Sequence, residues 1–110
     1  MMENVTFDDF KKLDLRVGEI KEVEEVEGAD RIYKLKVDIG EERQLIAGIK
    51  QFYSKEDLIG KKIVIIANLE PRVIRGVESH GMLFAASTPE KDKLTLVTVD
   101  REIPNGSRVS

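Results

Sequence analysis

The 110-residue chain contains no cysteine, no tryptophan and a single histidine. Without thiols there can be no disulfide, no iron–sulfur cluster and no cysteine-ligated zinc, and one imidazole is too few for a metal centre. A Ser-His-Asp triad has only His80 to draw on, so acid–base chemistry would fall to carboxylates and lysines. Long apolar runs are also missing. The longest, such as Ile63 to Ala67, fall far short of the roughly 18 residues of a membrane span. The first ten residues carry acids where a secretory signal has a basic stretch and then an apolar one, which predicts a cytoplasmic protein with no membrane partner. No repeat or low-complexity tract divides the chain. Its length fits one domain, residues 1–110, and its 41% hydrophobic content suffices for one core.

Charge is what the chain has in quantity. There are 18 Lys and Arg against 21 Asp and Glu, a net charge of −3, which by itself argues against a polyanionic partner. The distribution reverses that inference. Residues 1–30 hold four basic and ten acidic side chains, residues 31–87 hold ten and seven, and residues 88–110 hold four of each. A mildly basic middle follows an acidic start.

Hydrophobic patterning predicts mostly short strands. Thr6 and Asp9 form a capping-box-like start to a helical turn from Phe7 to about Leu13. Leu15 and Val17 alternate as in a strand, but Ile20 breaks the period of two, and Gly18 sits at the slip. This predicts a long first strand to about Val26, bent by a bulge at Gly18. Tyr33, Leu35, Val37 and Ile39 alternate with Lys34, Lys36 and Asp38, the pattern of a half-buried strand. A turn at Gly40-Glu41-Glu42 returns the chain through Arg43 to Ala47, giving a three-strand meander. Ser54 to Asp57 is a second capping box for a short helix, and Lys61 to Leu69 is a strand covered on both faces. Residues 70–81 are too polar and glycine-punctuated for a regular element. Met82 to Ser87 and Leu94 to Val99 are two further strands, and Pro104-Asn105-Gly106 is a turn. A bent first strand that pairs on both sides, with a helix between strands three and four, predicts an all-β, five-stranded OB-fold barrel with short terminal extensions.

The segment from Asn68 to Ala86 carries the functional signal. A buried strand opens into a loop holding Arg72 and Arg75, whose planar forks suit phosphates, with Asn68 and Ser79 able to hydrogen-bond sugars or bases. Asp14-Leu15-Arg16-Val17-Gly18, Ala29-Asp30-Arg31-Ile32-Tyr33 and Asn68 through Ala86 resemble the three signature stretches of the structure-specific tRNA-binding domain. The resemblance covers about residues 7–110 and is nearest to the C-terminal domain or β subunit of methionyl-tRNA synthetase. It implies a non-catalytic module that reads tRNA by shape, needs no cofactor or metal, and assists a synthetase catalytic chain. On this chain the motif assigns tRNA contacts to Arg31, Ser79 and Met82, with Asn68, Arg72 and Arg75 nearby. Lys34 and Lys36, on one strand face, extend the basic surface.

The resemblance also implies a homodimer. Phe7, Phe10, Leu13, Ile103 and Val109 are apolar residues peripheral to the barrel and supply the candidate contact. Glu70 and Val73 stand where the family usually has Lys, and Glu27-Gly28 replaces its usual His-Pro, so the predicted affinity is modest. A second expectation is a small dimeric export-associated chaperone of the same barrel, which would bind polypeptides in an apolar groove. An enzyme built on Asp8 and Asp9 or on Glu22, Glu24, Glu25 and Glu27 is the weakest reading, because no nucleotide or metal motif accompanies these acids.

Overall fold

The computed structural model describes residues 2–110. The chain runs through α1 (Phe7–Lys11), β1 (Leu15–Glu25), β2 (Tyr33–Asp38), β3 (Glu42–Ala47), α2 (Lys55–Leu58) and β4 (Lys62–Ile66). The hairpin β5 (Arg72–Ile74) and β6 (Val77–Ser79) follows, then β7 (Met82–Leu83), β8 (Ala85–Ser87), β9 (Leu94–Leu96) and β10 (Arg108–Val109). Both predicted N-caps form, without the return bond of a full capping box. The Thr6 hydroxyl accepts from the Asp9 N–H, and the Ser54 hydroxyl from the Asp57 N–H.

The main sheet has the order β3-β2-β1-β4-β7, with β10 against the start of β1. Leu15–Glu19 pair with β4, while Glu19–Glu25 pair with β2. One strand therefore serves two halves of the sheet. The extra residue lies between Ile20 and Glu22, where the β1–β2 register shifts, and not at Gly18 as the sequence predicts. Ile20 and Val23 are three residues apart yet both buried, and only an inserted residue restores the inward phase. Gly18 answers a different demand. A Cβ there would lie 2.5 Å from Val37 Cγ1 and 3.0 Å from Ile39 Cγ2, so only glycine admits the β2 side chains at the bend.

Ile20, Leu35, Val37, Leu45, Ile63, Ile65 and Leu58 form the barrel core, with Leu58 of α2 closing one end. Tyr33 donates to the Tyr53 carbonyl, and the Tyr53 hydroxyl accepts from the Leu96 N–H, which ties β9 to the same core. The result is the expected nearly closed five-strand barrel of OB type.

Four details differ from the sequence reading. Residues 70–81 are not irregular, because Arg72–Ile74 and Val77–Ser79 pair as a hairpin whose turn residues, Arg75 and Gly76, both have positive φ (52° and 78°). Such primed turns match strand twist but are usually signalled by Asn-Gly, so Arg-Gly hides one. The predicted strand Met82 to Ser87 divides at Phe84, whose N–H donates to Val64. The fourth and last predicted strands are shorter, Lys62–Ile66 and Leu94–Leu96. Finally, β10 pairs with Leu15 and Arg16, a contact across most of the chain that no local pattern announces.

The remaining gap, between β3 and the β6–β7 segment, is bridged largely through side chains. Ser79 is 5% exposed; its hydroxyl accepts from the Ile46 N–H (3.0 Å) and donates to the Gly81 carbonyl (3.1 Å). Gln44 donates to the Glu78 carbonyl, Arg43 to the His80 carbonyl (3.4 Å), and the His80 N–H to the Gln44 carbonyl. Ser79→Ala strands the Ile46 N–H and should lower unfolding free energy by about 1–3 kcal/mol in a denaturant titration. A change within error would mean the gap closes without it.

At the opposite edge, Asn105 donates to Glu19 (3.1 Å) and Asp38 (3.2 Å) and accepts from Lys62 (2.7 Å). The Asn105 amide holds the Glu19 carboxyl below its ordinary range; for Asp38 the Gly40 N–H does most and Asn105 adds to it. Carboxyls whose folded pKa is lowered contribute stability that is present above their unfolded pKa and lost as pH falls through the folded value. Thermal unfolding should therefore drop as pH falls below about 5. Asn105→Ala should be less stable than wild type at pH 7, with the difference narrowing as acid is added. A constant difference across that range would rule the linkage out.

Candidate nucleic-acid interface

Four segments converge at one end of the barrel: the β1–β2 loop, the β3–α2 loop, the β5–β6 hairpin and the β8–β9 turn. The β1–β2 loop is fixed by the buried Ala29, whose N–H donates to Val26 and whose carbonyl accepts from Lys50 Nζ. Lys50 also pairs with Glu25 at 2.8 Å, and its N–H donates to the Arg31 carbonyl. The backbone around Arg31 is thus anchored while its side chain stays exposed. Above it lies the β5–β6 hairpin, docked by a small apolar cluster of Val26, Ala29 and Ile46 with Ile32, Ile74 and Val77 around it. Those apolar residues hold the hairpin to the barrel and leave Arg72 and Arg75 at its surface.

The surface has three adjoining depressions. Arg31 and Arg75 line one of about 230 Å³ together with Gly28 and Asp30. Arg72, Ser79 and Met82 line a second of about 300 Å³, floored by Ile46, Ile49 and Ile74. Arg31, Gln51, Phe52 and Lys91 line a third of about 460 Å³, and Gly48 and Leu94 belong to both the second and the third. Residues far apart in the chain therefore share one face.

Ion pairing distinguishes the cations of this face from the basic residues of β2 and β3. Among the described residues, Arg31, Arg72, Arg75 and Lys91 have no carboxylate within salt-bridge distance, whereas Lys34 pairs with Glu24 (2.7 Å), Lys36 with Glu42 (3.5 Å) and Arg43 with Glu41 (3.0 Å). Lys34 holds the Glu24 carboxyl below its ordinary range by donating a hydrogen bond, and Lys50 does the same to Glu25. A cation already facing a carboxylate adds less positive field than one left free, so the field here comes mainly from the three arginines and Lys91.

The predicted site residues divide accordingly. Arg31, Arg72, Arg75 and the 40%-exposed Met82 come together. Ser79 is present, but its hydroxyl is engaged in closing the barrel. Asn68 lies elsewhere: its side chain accepts from the Asp14 N–H and donates to the Lys12 carbonyl, clamping α1 to the start of β1. Lys34 lines a separate shallow depression with Gly76, Glu78 and His80, and there His80 meets Glu78 at 2.8 Å. Gly48, Gln51, Phe52 and Lys91 belong to the face although no sequence motif pointed to them. Lys91 sits in a polar turn 60 residues from Arg31, and only the fold makes them neighbours.

Among the described residues no cluster of three or more His, Asp or Glu is arranged to hold a metal, and no helix is long and apolar enough to cross a membrane. The candidate dimer residues Phe7, Phe10, Leu13 and Ile103 are exposed, and Val109 is half-buried in β10. The α1 helix buries no residue, and the Phe7 and Phe10 rings lie 6.2 Å apart on its surface.

Residues 15–108 match the family model described as "Putative tRNA binding domain". The chain is 54% identical over 109 residues to the methionine–tRNA ligase of Thermococcus kodakarensis, covering 98% of this chain and 14% of that protein. It is 50% identical to that of Caldanaerobacter subterraneus over 99% of this chain and 17% of the ligase. The chain thus spans about one-sixth of the ligases it matches and corresponds to their non-catalytic C-terminal part. Among solved structures, a MetRS related protein from Pyrococcus horikoshii superimposes with a TM-score of 0.92 at 40% identity, covering 99% of this chain and 100% of that one. The chaperone CsaA from Bacillus anthracis superimposes with a TM-score of 0.87 at 33% identity, covering 98% and 100%. With the family model spanning nearly the whole barrel, and with unpaired arginines grouped on one face of it, the chain belongs to the tRNA-binding domain family.

Proposed function

We propose that residues 1–110 form one module that binds tRNA by shape across the face of Arg31, Arg72, Arg75 and Met82, and that it assists a methionyl-tRNA synthetase catalytic chain in the cytoplasm. The observation that carries this reading is the grouping of three arginines without carboxylate partners on a rigid loop and hairpin. In helical RNA the bases are poorly accessible, and phosphates and 2′-hydroxyls present themselves to planar guanidinium forks. Lys34 and Lys36 contribute weakly, since both are paired with glutamates. Ser79 and Asn68 act by holding the hairpin and the β4 exit in place. Few free cations give modest affinity, which suits a module whose attachment to a larger synthetase raises its effective concentration.

The chaperone reading would use the apolar floor of Ile46, Ile49 and Ile74. It rests on barrels at 33% identity, against 50–54% for the ligases, and it gives the unpaired arginines no task. The exposed α1 surface supports the homodimer, with Phe7, Phe10, Leu13, Ile103 and Val109 covered by a second copy.

In a filter-binding titration, Arg31→Ala with Arg75→Ala should weaken tRNA binding at least tenfold at low salt. The slope of log K against log salt should flatten by about 0.7–0.9 for each phosphate that is no longer neutralised. Absence of wild-type binding at tens of micromolar protein would refute the reading. For the dimer, sedimentation of the wild type should give twice the 12.5 kDa chain mass, and Phe7→Ser with Phe10→Ser should give the monomer. A wild-type monomer at high concentration would exclude it.

A further inference from the structure

We propose that the depression between Arg31, Phe52 and Lys91 takes one unpaired nucleotide, its base against the Phe52 ring and its phosphate between the two cations. This goes beyond shape recognition of a duplex, and it rests on the reading of the chain as an RNA binder.

Phe52 is 37% exposed although Ile49 and Tyr53 of the same turn pack on the core. The N–H groups of Phe52 and Tyr53 both donate to the Ile49 carbonyl, forming a tight turn whose ends, Ile49 and Tyr53, join the core and leave Phe52 outside. An exposed aromatic ring held by a fixed turn is a ready stacking platform.

The ring is flanked by free positive charge. Neither Arg31 nor Lys91 has a carboxylate at salt-bridge distance among the described residues. Of the two acids flanking Lys91, Asp92 accepts from Thr88 at 2.6 Å and Glu90 makes no ion pair among the described residues. Lys91 itself has φ 59°, a left-handed conformation fixed by its N–H donating to the Thr88 carbonyl (2.8 Å) and by the Thr88 N–H donating to Lys93 (3.1 Å).

Gly48 keeps the depression open. It has no positive φ, and a Cβ built there meets only the Arg31 carbonyl, at 4.0 Å. Neither backbone conformation nor packing requires glycine here, in contrast to Gly18. What the missing side chain leaves is space. The resulting volume, about 460 Å³, lies within the range of small-ligand sites, and Gln51 and Ser87 at its wall can hydrogen-bond the edge of a base.

A duplex cannot use this arrangement, because its bases are stacked on one another and offer no free π-face. An unpaired nucleotide can. The depression therefore gives the module a preference for RNA in which an unpaired nucleotide lies within reach of the arginine face.

The test uses Phe52→Leu, which keeps apolar volume but removes the ring, and Gly48→Leu, which fills the depression and leaves every charge in place. Both sites are clear of the core, and thermal unfolding checks that each variant is folded. Probes are an unstructured RNA heptamer carrying 2-aminopurine, a blunt RNA duplex and tRNA. Each variant should lose about tenfold in affinity for the heptamer and for tRNA, and Phe52→Leu should leave the salt slope and duplex binding unchanged. The 2-aminopurine fluorescence should be quenched by the wild type and not by Phe52→Leu. Heptamer binding and quenching unchanged in both variants would overturn the proposal while leaving the tRNA reading intact. Wild-type binding to the heptamer and not to tRNA would keep the depression and remove the tRNA reading beneath it.

Discussion

The whole barrel follows from the bend in β1. An antiparallel strand of eleven residues has two hydrogen-bonding edges, and a straight one would present them to the same flat sheet. Here the inserted residue between Ile20 and Glu22, together with the missing side chain at Gly18, turns the strand, so that its first half pairs with β4 and its second with β2. The sheet then curls until β3 faces the β6–β7 segment. Ser79, Gln44 and Arg43 join the two edges by bonding backbone groups that a complete ladder would have paired. Open edges are thereby avoided without a sixth full strand.

Closing the barrel in this way creates the face that carries the proposed site. Because the last gap is spanned by side chains of β3 and of the hairpin, the hairpin must lie over the barrel end, and its apolar side is buried against Val26, Ala29 and Ile46. Its arginines are left beside the β1–β2 loop, with no carboxylate within salt-bridge distance among the described residues. The acidic first segment, meanwhile, directs its charge to lysines: Glu24 pairs with Lys34, and Glu25 with Lys50 and Lys55. A chain of net charge −3 thus still groups three arginines and Lys91 without ion-pair partners on one face. What governs contact with a polyanion is that local imbalance and not the total.

Strand identity was legible because alternation is a local property. Tyr33, Leu35 and Val37 are buried as their spacing predicts, and Ile63 to Ile65 are all buried as an unbroken apolar run predicts. Both short helices were legible from their caps for the same reason. The β5–β6 hairpin was hidden because its turn uses Arg75 at positive φ, where polar sequence and a lone glycine look like loop. The pairing of β10 with Leu15 was hidden because nothing within a few residues of Arg108 specifies a partner more than 90 positions away.

Barrel type, family and the three arginines of the face could all be read from the chain, because strand period, cap chemistry and motif spacing are carried by neighbouring residues. Which polar groups remain free to act could be read from the folded molecule alone. Ser79 and Asn68 look like ligand contacts in the chain, yet their hydrogen bonds go to the backbone of distant elements. Lys34 and Lys36 look like free cations and are paired across strands. Lys91 and Phe52 look like ordinary turn residues and become neighbours of Arg31. The physical reason is that availability depends on what packs alongside a side chain, and closure of the barrel brings together residues that are remote along the chain.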